Sequence, residues 1–223
     1  MIIFDMDGVL VDVAESYRET IVRTVEYFTG VVVSRERIQD YKNQGGWNND
    51  WALSQKIAAD LGTNVPYEEV VARFQQLFLG ENNDGLINRE EWIARPGTLE
   101  RIHEHYDFSI FTGRERAEAQ ITLDRFARSL RFDPIIGADD VQVAKPDPEG
   151  MLKIMSAHPG VAFTYIGDTV DDARSAKAAR VPFIGVAEKS NTRYSETVAL
   201  LEAEGAIAII ESINQLEEAL AQR

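Results

Sequence analysis

The chain has 223 residues and a formal net charge of −14 at pH 7, with 37 acidic and 23 basic side chains. This length fits one large domain or a domain that carries an insertion. The acidic excess argues against a surface for nucleic acid or anionic membrane, because either would need a basic face. The absence of cysteine from the sequence excludes disulfides, thiolate metal sites and cysteine nucleophiles.

The beginning of the chain shows neither a basic leader nor a long apolar segment, so the sequence predicts no signal peptide. No apolar run approaches the roughly 20 residues that a membrane-spanning helix needs. We therefore expect a cytoplasmic protein whose partners include neither nucleic acid nor membrane. The sequence leaves both a monomer and a homodimer open.

The first predicted element is a strand that runs into carboxylates, in the stretch MIIFDMDGVLVD. A compact apolar run of this kind is typical of a buried strand. The run ends at Asp5, and Asp7 follows two residues later. The Asp7–Gly8 pair between apolar segments could instead form a hairpin turn, which is the alternative prediction for this stretch.

Residues 13–96 predict an all-helical block with little strand character. Four apolar residues share one face of its first helix, namely Tyr17, Ile21, Val25 and Phe28. Gly30 can end that helix. Two later segments begin with polar or proline residues, carry a periodic apolar stripe and stop at a glycine, which is the same helical design.

Beyond residue 97, short apolar strands alternate with amphipathic helices as far as the end of the chain. This alternation is typical of a parallel sheet covered by helices on both faces. We therefore predict an α/β fold whose core consists of residues 1–12 and 97–223. The helical block, residues 13–96, is inserted after the first strand.

Potentially catalytic or phosphate-binding residues stand directly after three of the predicted strands. A further candidate lies in the segment that connects two of these strands. The carboxyl ends of parallel strands lie at one edge of a sheet, and ligands bind there. The candidate site residues are Asp5, Asp7, Thr112, Gly113, Arg114, Lys145, Asp168 and Asp172.

Each candidate also has an ordinary structural explanation. Thr112 and Gly113 could cap the next helix, and a single lysine such as Lys145 is by default on the surface. Acidic residues from 168 to 172 could simply favour a helix N-terminus. These separate explanations do not account for two features of the set. All the candidates are predicted at the same edge of the sheet, and they occur in the chain order Asp-x-Asp, Thr, Lys, Asp.

The ordered segments DMDGVLVD, FTGR, AKPDP and GDTVDD resemble the four motifs of the haloacid dehalogenase-like hydrolase superfamily. The resemblance covers nearly the whole chain. Within the superfamily, the chain resembles the phosphatases that carry a helical cap inserted after the first motif. It implies a Rossmann-like parallel sheet core with an inserted all-helical cap domain. Two positions depart from the common pattern: Gly113 stands where many members carry a small polar amide residue, and Ala144 where glycine is common.

The resemblance also implies a cofactor, Mg²⁺, and a set of ligands for it. The Asp5 carboxylate, the Asp7 backbone carbonyl and Asp168 would bind the ion, with waters and substrate phosphate completing an octahedron. Asp172 would steady the bound waters or Lys145 rather than bind the ion directly. Asp171 is an alternative for that supporting role.

The implied activity is hydrolysis of a small-molecule phosphate monoester through an aspartyl-phosphate intermediate. Asp5 would be the nucleophile, and Asp7 the general acid and then the general base. Thr112 and the Gly113 amide would hold the phosphoryl oxygens while Lys145 neutralises their charge. The carboxylate at Asp7 argues against dehalogenation, because the displacement of halide needs no proton donor.

Two rival functions share much of this chemistry. A phosphomutase would use every one of these catalytic residues. A non-catalytic phospho-acceptor or regulatory protein, such as a signalling receiver domain, also uses a phosphorylated aspartate, Mg²⁺, threonine and lysine. The lysine of a receiver domain lies near the end of the chain, whereas here Asp168, at a further predicted strand end, follows Lys145 and a helical block interrupts the fold. Release of inorganic phosphate separates the three.

Substrate choice is expected in the helical cap, around the glycine pair at 45–46. The candidate substrate-binding residues are Lys42, Asn43, Gln44 and Trp47, together with Arg114 from the core. The alternative is a simple helix–helix connection in which Trp47 and Trp51 are cap core and Asn49 or Asp50 caps a helix. The phosphorylated metabolite itself is not predicted.

Overall fold

The computed structural model describes residues 1–222, and these form two compact units. One unit contains residues 1–11 and the described residues from 92 onward, and the other contains residues 12–91. We call them the sheet unit and the helical unit. In this division Asp12 belongs to the helical unit and residues 92–96 belong to the sheet unit.

The strands, in chain order, are β1 (Ile2–Phe4), β2 (Val11–Asp12), β3 (Glu91–Trp92), β4 (Phe108–Phe111), β5 (Phe132–Ile136), β6 (Thr164–Gly167), β7 (Phe183–Val186) and β8 (Ala208–Ile210). Six of them form one sheet in the order β5-β4-β1-β6-β7-β8. Every pairing in this sheet is parallel. Strands β2 and β3 pair with each other, so the interval predicted as all-helical also contains a short strand.

The helices, in chain order, are α1 (Tyr17–Thr29), α2 (Arg35–Gln44), α3 (Asp50–Asp60), α4 (Tyr67–Phe78), α5 (Thr98–His103), α6 (Arg116–Phe126), α7 (Glu149–Ala157), α8 (Val170–Ala179), α9 (Tyr194–Ala203) and α10 (Leu216–Ala221). Short 3₁₀ turns span Leu86–Arg89, Ala138–Asp140 and Ile213–Gln215. None of the helices within residues 1–222 has the length and apolarity needed to cross a lipid bilayer.

Strand β1 lies at the centre of the large sheet because its side chains are apolar on both faces. Ile2, Ile3 and Phe4 are all buried, as expected of a parallel strand covered by helices on both sides. Phe4 pairs in register with Ile110 of β4 on one side and Ile166 of β6 on the other. The carboxyl ends of β4, β1 and β6 therefore lie side by side, which is where an open α/β sheet binds ligands.

The turn after β1 excludes the hairpin alternative. Strand β1 pairs with β4 and β6 and has no pairing with β2. Gly8 adopts φ +73°, a left-handed conformation that favours glycine, and its N–H donates to the Val11 carbonyl at 2.9 Å. The Asp7–Gly8 pair thus forms a tight turn that follows the strand.

The helical unit confirms the predicted apolar stripe of α1. Tyr17, Ile21 and Val25 are buried, and Phe28 packs against a small buried cluster that includes Val65 and Val70. Helix α1 ends at Gly30, which adopts φ 72° as predicted for a glycine C-cap.

Candidate active site

Lys145 joins two carboxylates at the carboxyl edge of the large sheet. Its Nζ donates to Asp5 Oδ1 at 2.9 Å and to Asp172 Oδ1 at 2.7 Å. All three side chains are almost completely buried. The Nζ atom also lies 4.9 Å above the ring of Phe111, the last residue of β4. The structure therefore places residues from three of the four sequence motifs together.

Asp172 is held by the first turn of α8. Both the N–H and the Oγ1 hydroxyl of Thr169 donate to Asp172 Oδ2, and the Asp172 N–H donates back to Thr169 Oγ1. This reciprocal capping satisfies backbone N–H groups at the helix start. The Tyr165 hydroxyl donates to Asp172 Oδ1 at 2.7 Å. Each carboxylate oxygen of Asp172 thus accepts two hydrogen bonds, and one of the two on Oδ1 comes from Lys145.

The buried Asp5, Lys145 and Asp172 shift one another's pKa values. Burial raises the pKa of Asp5 to about 7, with Asp172 and Asp7 adding to the effect and Lys145 opposing it. Burial alone would lower the pKa of Lys145, but Asp172 and Asp5 together raise it above its ordinary value. Burial opposes ionisation of Asp172, yet Lys145 lowers the pKa of that carboxyl. The favoured state has a charged lysine beside an ionised Asp172.

Asp5, Asp168 and Asp172 bring carboxylate oxygens within 4.8 Å of one another. Clustered carboxylate oxygens are the donors that Mg²⁺ prefers, so this set fits the divalent cation that the resemblance implies. Because both oxygens of Asp172 already accept hydrogen bonds from Lys145, Tyr165 and Thr169, Asp5 and Asp168 are better placed to bind a cation directly.

The turn after β1 approaches Asp168 closely. A Cβ atom placed on Gly8 would lie 2.2 Å from Asp168 Oδ2, far inside van der Waals contact. Glycine is therefore favoured here for two reasons: its φ is left-handed, and a Cβ would have to displace the Asp168 carboxylate. Gly8 is a site residue that we did not predict, although the Asp-Gly pair pointed to a tight turn.

We expect Gly8→Ala to lower the free energy of unfolding by more than Gly160→Ala does. Gly160 has a similar φ of +81°, and a Cβ placed there meets nothing within 4 Å. The left-handed conformation costs an alanine roughly 1–2 kcal/mol at either position, and only Gly8→Ala must also displace Asp168. Urea unfolding of both variants measures the difference, and equal losses would contradict the close approach.

Thr112 and Gly113 follow β4 at the same edge. Thr112 is buried, its N–H donates to the Ile136 carbonyl at 3.0 Å, and its Oγ1 accepts from the Arg114 N–H at 3.3 Å. Arg114 is buried, and its guanidinium is directed to Asp7. The structure therefore joins the FTGR segment to the second carboxylate of the first motif. The predicted contact between Arg114 and substrate stays a prediction.

The glycine pair at 45–46 connects α2 to α3, as in the helix–helix alternative. Lys42 Nζ lies 2.5 Å from Asp50 Oδ1, and Asn43 Oδ1 accepts from the Gln39 amide at 2.9 Å. Gln44 is exposed. Direct contact of these side chains with a substrate stays a prediction.

Three further residues of this region, Trp47, Asn49 and Trp51, lie at or just after the connection. Trp47 is half-buried and packs edge-on against Tyr41. Trp51, predicted as cap core, is half-buried and packs edge-on against Phe74. Asn49 caps α3 by accepting from the Ala52 N–H at 2.9 Å, as the alternative predicted. A contact between Trp47 and substrate stays a prediction.

Thr169 and Tyr165 support the site but were not predicted. The spacing of Thr169 and Asp172 matches the capping-box pattern and could have identified Thr169. Nothing local distinguishes Tyr165 from the other apolar residues of β6, because its role depends on the position of α8 against the sheet. Gly167 allows this packing, since a Cβ there would lie 2.5 Å from Asp172 Cβ.

Comparisons with known proteins agree with this geometry. Residues 2–186 match the family model of the haloacid dehalogenase-like hydrolases. The chain is 33% identical over 196 residues to an imidazoleglycerol-phosphate dehydratase of Phytophthora nicotianae, a match that covers 83% of this chain and 42% of that protein. It is 26% identical over 235 residues to a phosphoglycolate phosphatase of Salmonella typhimurium, covering 97% of this chain and 90% of that protein.

A solved structure shows the same fold. The crystal structure of a haloacid dehalogenase-like protein from Agrobacterium tumefaciens superposes with a TM-score of 0.72 at 20% identity, covering 99% of this chain and 97% of that one. At this identity the likeness shows the architecture alone. The dehydratase match spans less than half of that relative, whereas the phosphoglycolate phosphatase match runs through nearly all of both chains.

Proposed function

We propose that this chain, which belongs to the haloacid dehalogenase-like hydrolase family, is a Mg²⁺-dependent phosphatase that hydrolyses a phosphate monoester of a small molecule. The observation that carries the proposal is the buried contact of Lys145 with Asp5 and Asp172, beside Asp168. The similarity to phosphoglycolate phosphatases supports it.

In this proposal Asp5 is the nucleophile. One of its carboxylate oxygens forms a bond to phosphorus, and the bond from phosphorus to the leaving-group oxygen breaks, which gives an aspartyl-phosphate and an alcohol. Asp7 donates the proton that the leaving oxygen needs. Asp7 then takes a proton from water, whose oxygen attacks phosphorus, and the bond to Asp5 breaks to release inorganic phosphate.

Lys145 holds Asp5 and neutralises negative charge next to it. Its two hydrogen bonds fix the ammonium between Asp5 and Asp172, so it needs no rearrangement when charge develops on the phosphoryl oxygens. Thr112 and the Gly113 amide, at the end of the neighbouring strand, are the proposed donors to those oxygens. Asp172 contributes by fixing Lys145.

Mg²⁺ fits the acidic residues of this edge. The Asp5 and Asp168 carboxylates and the Asp7 backbone carbonyl would hold it. When bound, the ion supplies positive charge that screens the approach of the anionic phosphate to the carboxylate of Asp5.

Removal of divalent cations should abolish phosphate release, and Mg²⁺ should restore it. Ca²⁺ should inhibit, because it tolerates higher coordination numbers and would distort in-line attack by Asp5. The measurement is phosphate release from p-nitrophenyl phosphate after exhaustive EDTA treatment and dialysis, with Mg²⁺ or Ca²⁺ added back. Full activity of the EDTA-treated protein would contradict the proposed cofactor.

A panel of phosphorylated metabolites tests the proposed activity itself. Phosphoglycolate belongs in it because similar proteins are phosphoglycolate phosphatases, with sugar phosphates and amino-alcohol phosphates beside it. A phosphatase releases phosphate over many turnovers. A phosphomutase would return an isomeric phosphate ester without stoichiometric release, and a phospho-acceptor would react once per chain, so either result would replace the proposed function.

A further inference from the structure

Arg114 and Asp7 form an ion pair in which the arginine is buried and the aspartate is partly exposed to solvent. Arg114 Nε donates to Asp7 Oδ1 at 2.7 Å, and Nη2 lies 2.5 Å from the same oxygen. The arginine side chain is 0% exposed, whereas the Asp7 side chain is 28% exposed. A solute can therefore reach Asp7 but not the guanidinium behind it.

The arginine is fixed at both ends by contacts that do not involve Asp7. Its Nη1 donates to Thr122 Oγ1 of α6 at 2.9 Å. Its backbone N–H donates to Thr112 Oγ1 at 3.3 Å, and its carbonyl accepts from the Ala138 N–H at 2.7 Å. These contacts fix the guanidinium so that its Nε and Nη2 donors are already oriented toward the Asp7 carboxylate.

We infer that Arg114 is a positioning residue that holds the Asp7 carboxylate in one orientation for both proton transfers. The inference rests on the proposed function. An aspartate side chain samples several rotamers when nothing restrains it, but Asp7 must meet the leaving oxygen first and the attacking water next. Both contacts from Arg114 fall on Oδ1, so Arg114 holds one carboxylate oxygen, and this inference assigns the two proton transfers to the other oxygen, Oδ2.

Direct binding of substrate phosphate by Arg114 is the competing role, and the geometry disfavours it. An arginine that contacts phosphate must present its N–H groups to solvent before substrate arrives. The Arg114 guanidinium is instead closed off and donates to Asp7 and Thr122. Lys145 already lies beside the nucleophile Asp5.

The leaving group provides the first test. Arg114→Ala should slow phosphorylation of Asp5 by phosphoglycolate, or by the alkyl ester that is hydrolysed fastest in the panel, about 10²-fold, the size typical of a misplaced catalytic group. Phosphorylation by p-nitrophenyl phosphate should change little, because p-nitrophenolate leaves without a proton. Rapid mixing and single-turnover assays measure both rates. Equal slowing with both esters would overturn the inference.

A double-mutant cycle provides the second test. If Arg114 acts through Asp7, then Arg114→Ala should cause no further loss of rate when Asp7→Asn is already present. Equal fractional losses in the wild-type and Asp7→Asn backgrounds would show an independent role and overturn the inference.

The matched control is Arg116→Ala, two residues along the chain. Arg116 pairs with Asp140 at 2.7 Å and is half exposed, so its loss should leave both esters unaffected. If Arg114→Ala fails to fold in thermal unfolding, Arg114→Lys takes its place, since an ammonium cannot offer two donors from one planar group. Thr122→Val, which removes the outer anchor, should give a smaller loss with the same preference for the alkyl ester.

The two proposals fail in different ways. Suppose that the wild-type protein releases phosphate over many turnovers, but the rate losses of Arg114→Ala and Asp7→Asn are additive. The phosphatase function would then be retained, and the role of Arg114 would be rejected. Wild-type protein that releases no phosphate from any ester with Mg²⁺ would remove both.

Discussion

Asp5→Asn is expected to abolish phosphate release, with a loss of at least about 10⁴-fold, as is usual when a covalent nucleophile is removed. An amide cannot form the aspartyl-phosphate. The variant also loses the charge that faces Lys145 Nζ at 2.9 Å and one of the carboxylates proposed for Mg²⁺. Asparagine has nearly the shape of aspartate, so the buried position should remain filled and the chain folded.

The measurement combines steady-state phosphate release with chemical trapping of the intermediate. Acid-quenched wild-type protein should carry phosphate that hydroxylamine releases, as an acyl phosphate does, and Asp5→Asn should carry none. Unchanged thermal unfolding of the metal-free variant is the control for folding. Trapped phosphate on Asp5→Asn would place the nucleophile at another residue and overturn the mechanism.

With an aryl phosphate, Asp7→Asn is expected to leave phosphorylation of Asp5 fast and to make hydrolysis of the aspartyl-phosphate slow. The backbone carbonyl at this position and the nucleophile Asp5 are retained. The ion pair with Arg114 loses its negative partner, and the catalytic function that is lost is proton transfer, an effect typically of about 10²–10⁴-fold. With p-nitrophenyl phosphate, phosphorylation of Asp5 needs little acid, but hydrolysis of the intermediate still needs the base. We therefore expect a burst of about one equivalent of p-nitrophenol per chain, followed by slow turnover.

Alkyl phosphates should give no burst with Asp7→Asn, because their leaving oxygens need the proton that Asp7 supplies. Rapid-mixing absorbance records the aryl burst, and the double variant that also carries Asp5→Asn is the matched control. A burst that survives in the double variant would contradict the assignment of Asp5. A variant with unchanged steady-state rates for both ester classes would remove the acid–base role of Asp7.

The acidic edge of the site is predictable because its residues follow strands directly. Asp5 and Asp168 come immediately after compact apolar runs, and parallel strands bring such positions to one edge. The sequence does not specify which strands are neighbours. The pairing of β1 with both β4 and β6 is what turns separate strand ends into one cluster.

The partners of buried side chains are harder to predict. Arg114 lies in a motif for which the sequence predicts a substrate contact. Its guanidinium donates a hydrogen bond to Asp7, which lies 107 positions earlier in the chain. Its environment is set by the packing of α6 and the turn after β1, which no local pattern encodes. The shifted domain boundary has a simpler cause, because β2 and β3 have two residues each and are too short to show a period-2 pattern.

The central place of β1 in the sheet has a consequence for biosynthesis. Its two partners are far along the chain, since Phe4 pairs with Ile110 and with Ile166. At roughly 5–20 residues per second, a ribosome needs on the order of 10–30 s between making β1 and making β6. The contiguous helical unit, residues 12–91, emerges whole during that interval and can fold from local contacts. The nascent chain must therefore keep β1 from aggregating with both edges open until β4 (Phe108–Phe111) is made, and with one edge open until β6 (Thr164–Gly167) is made.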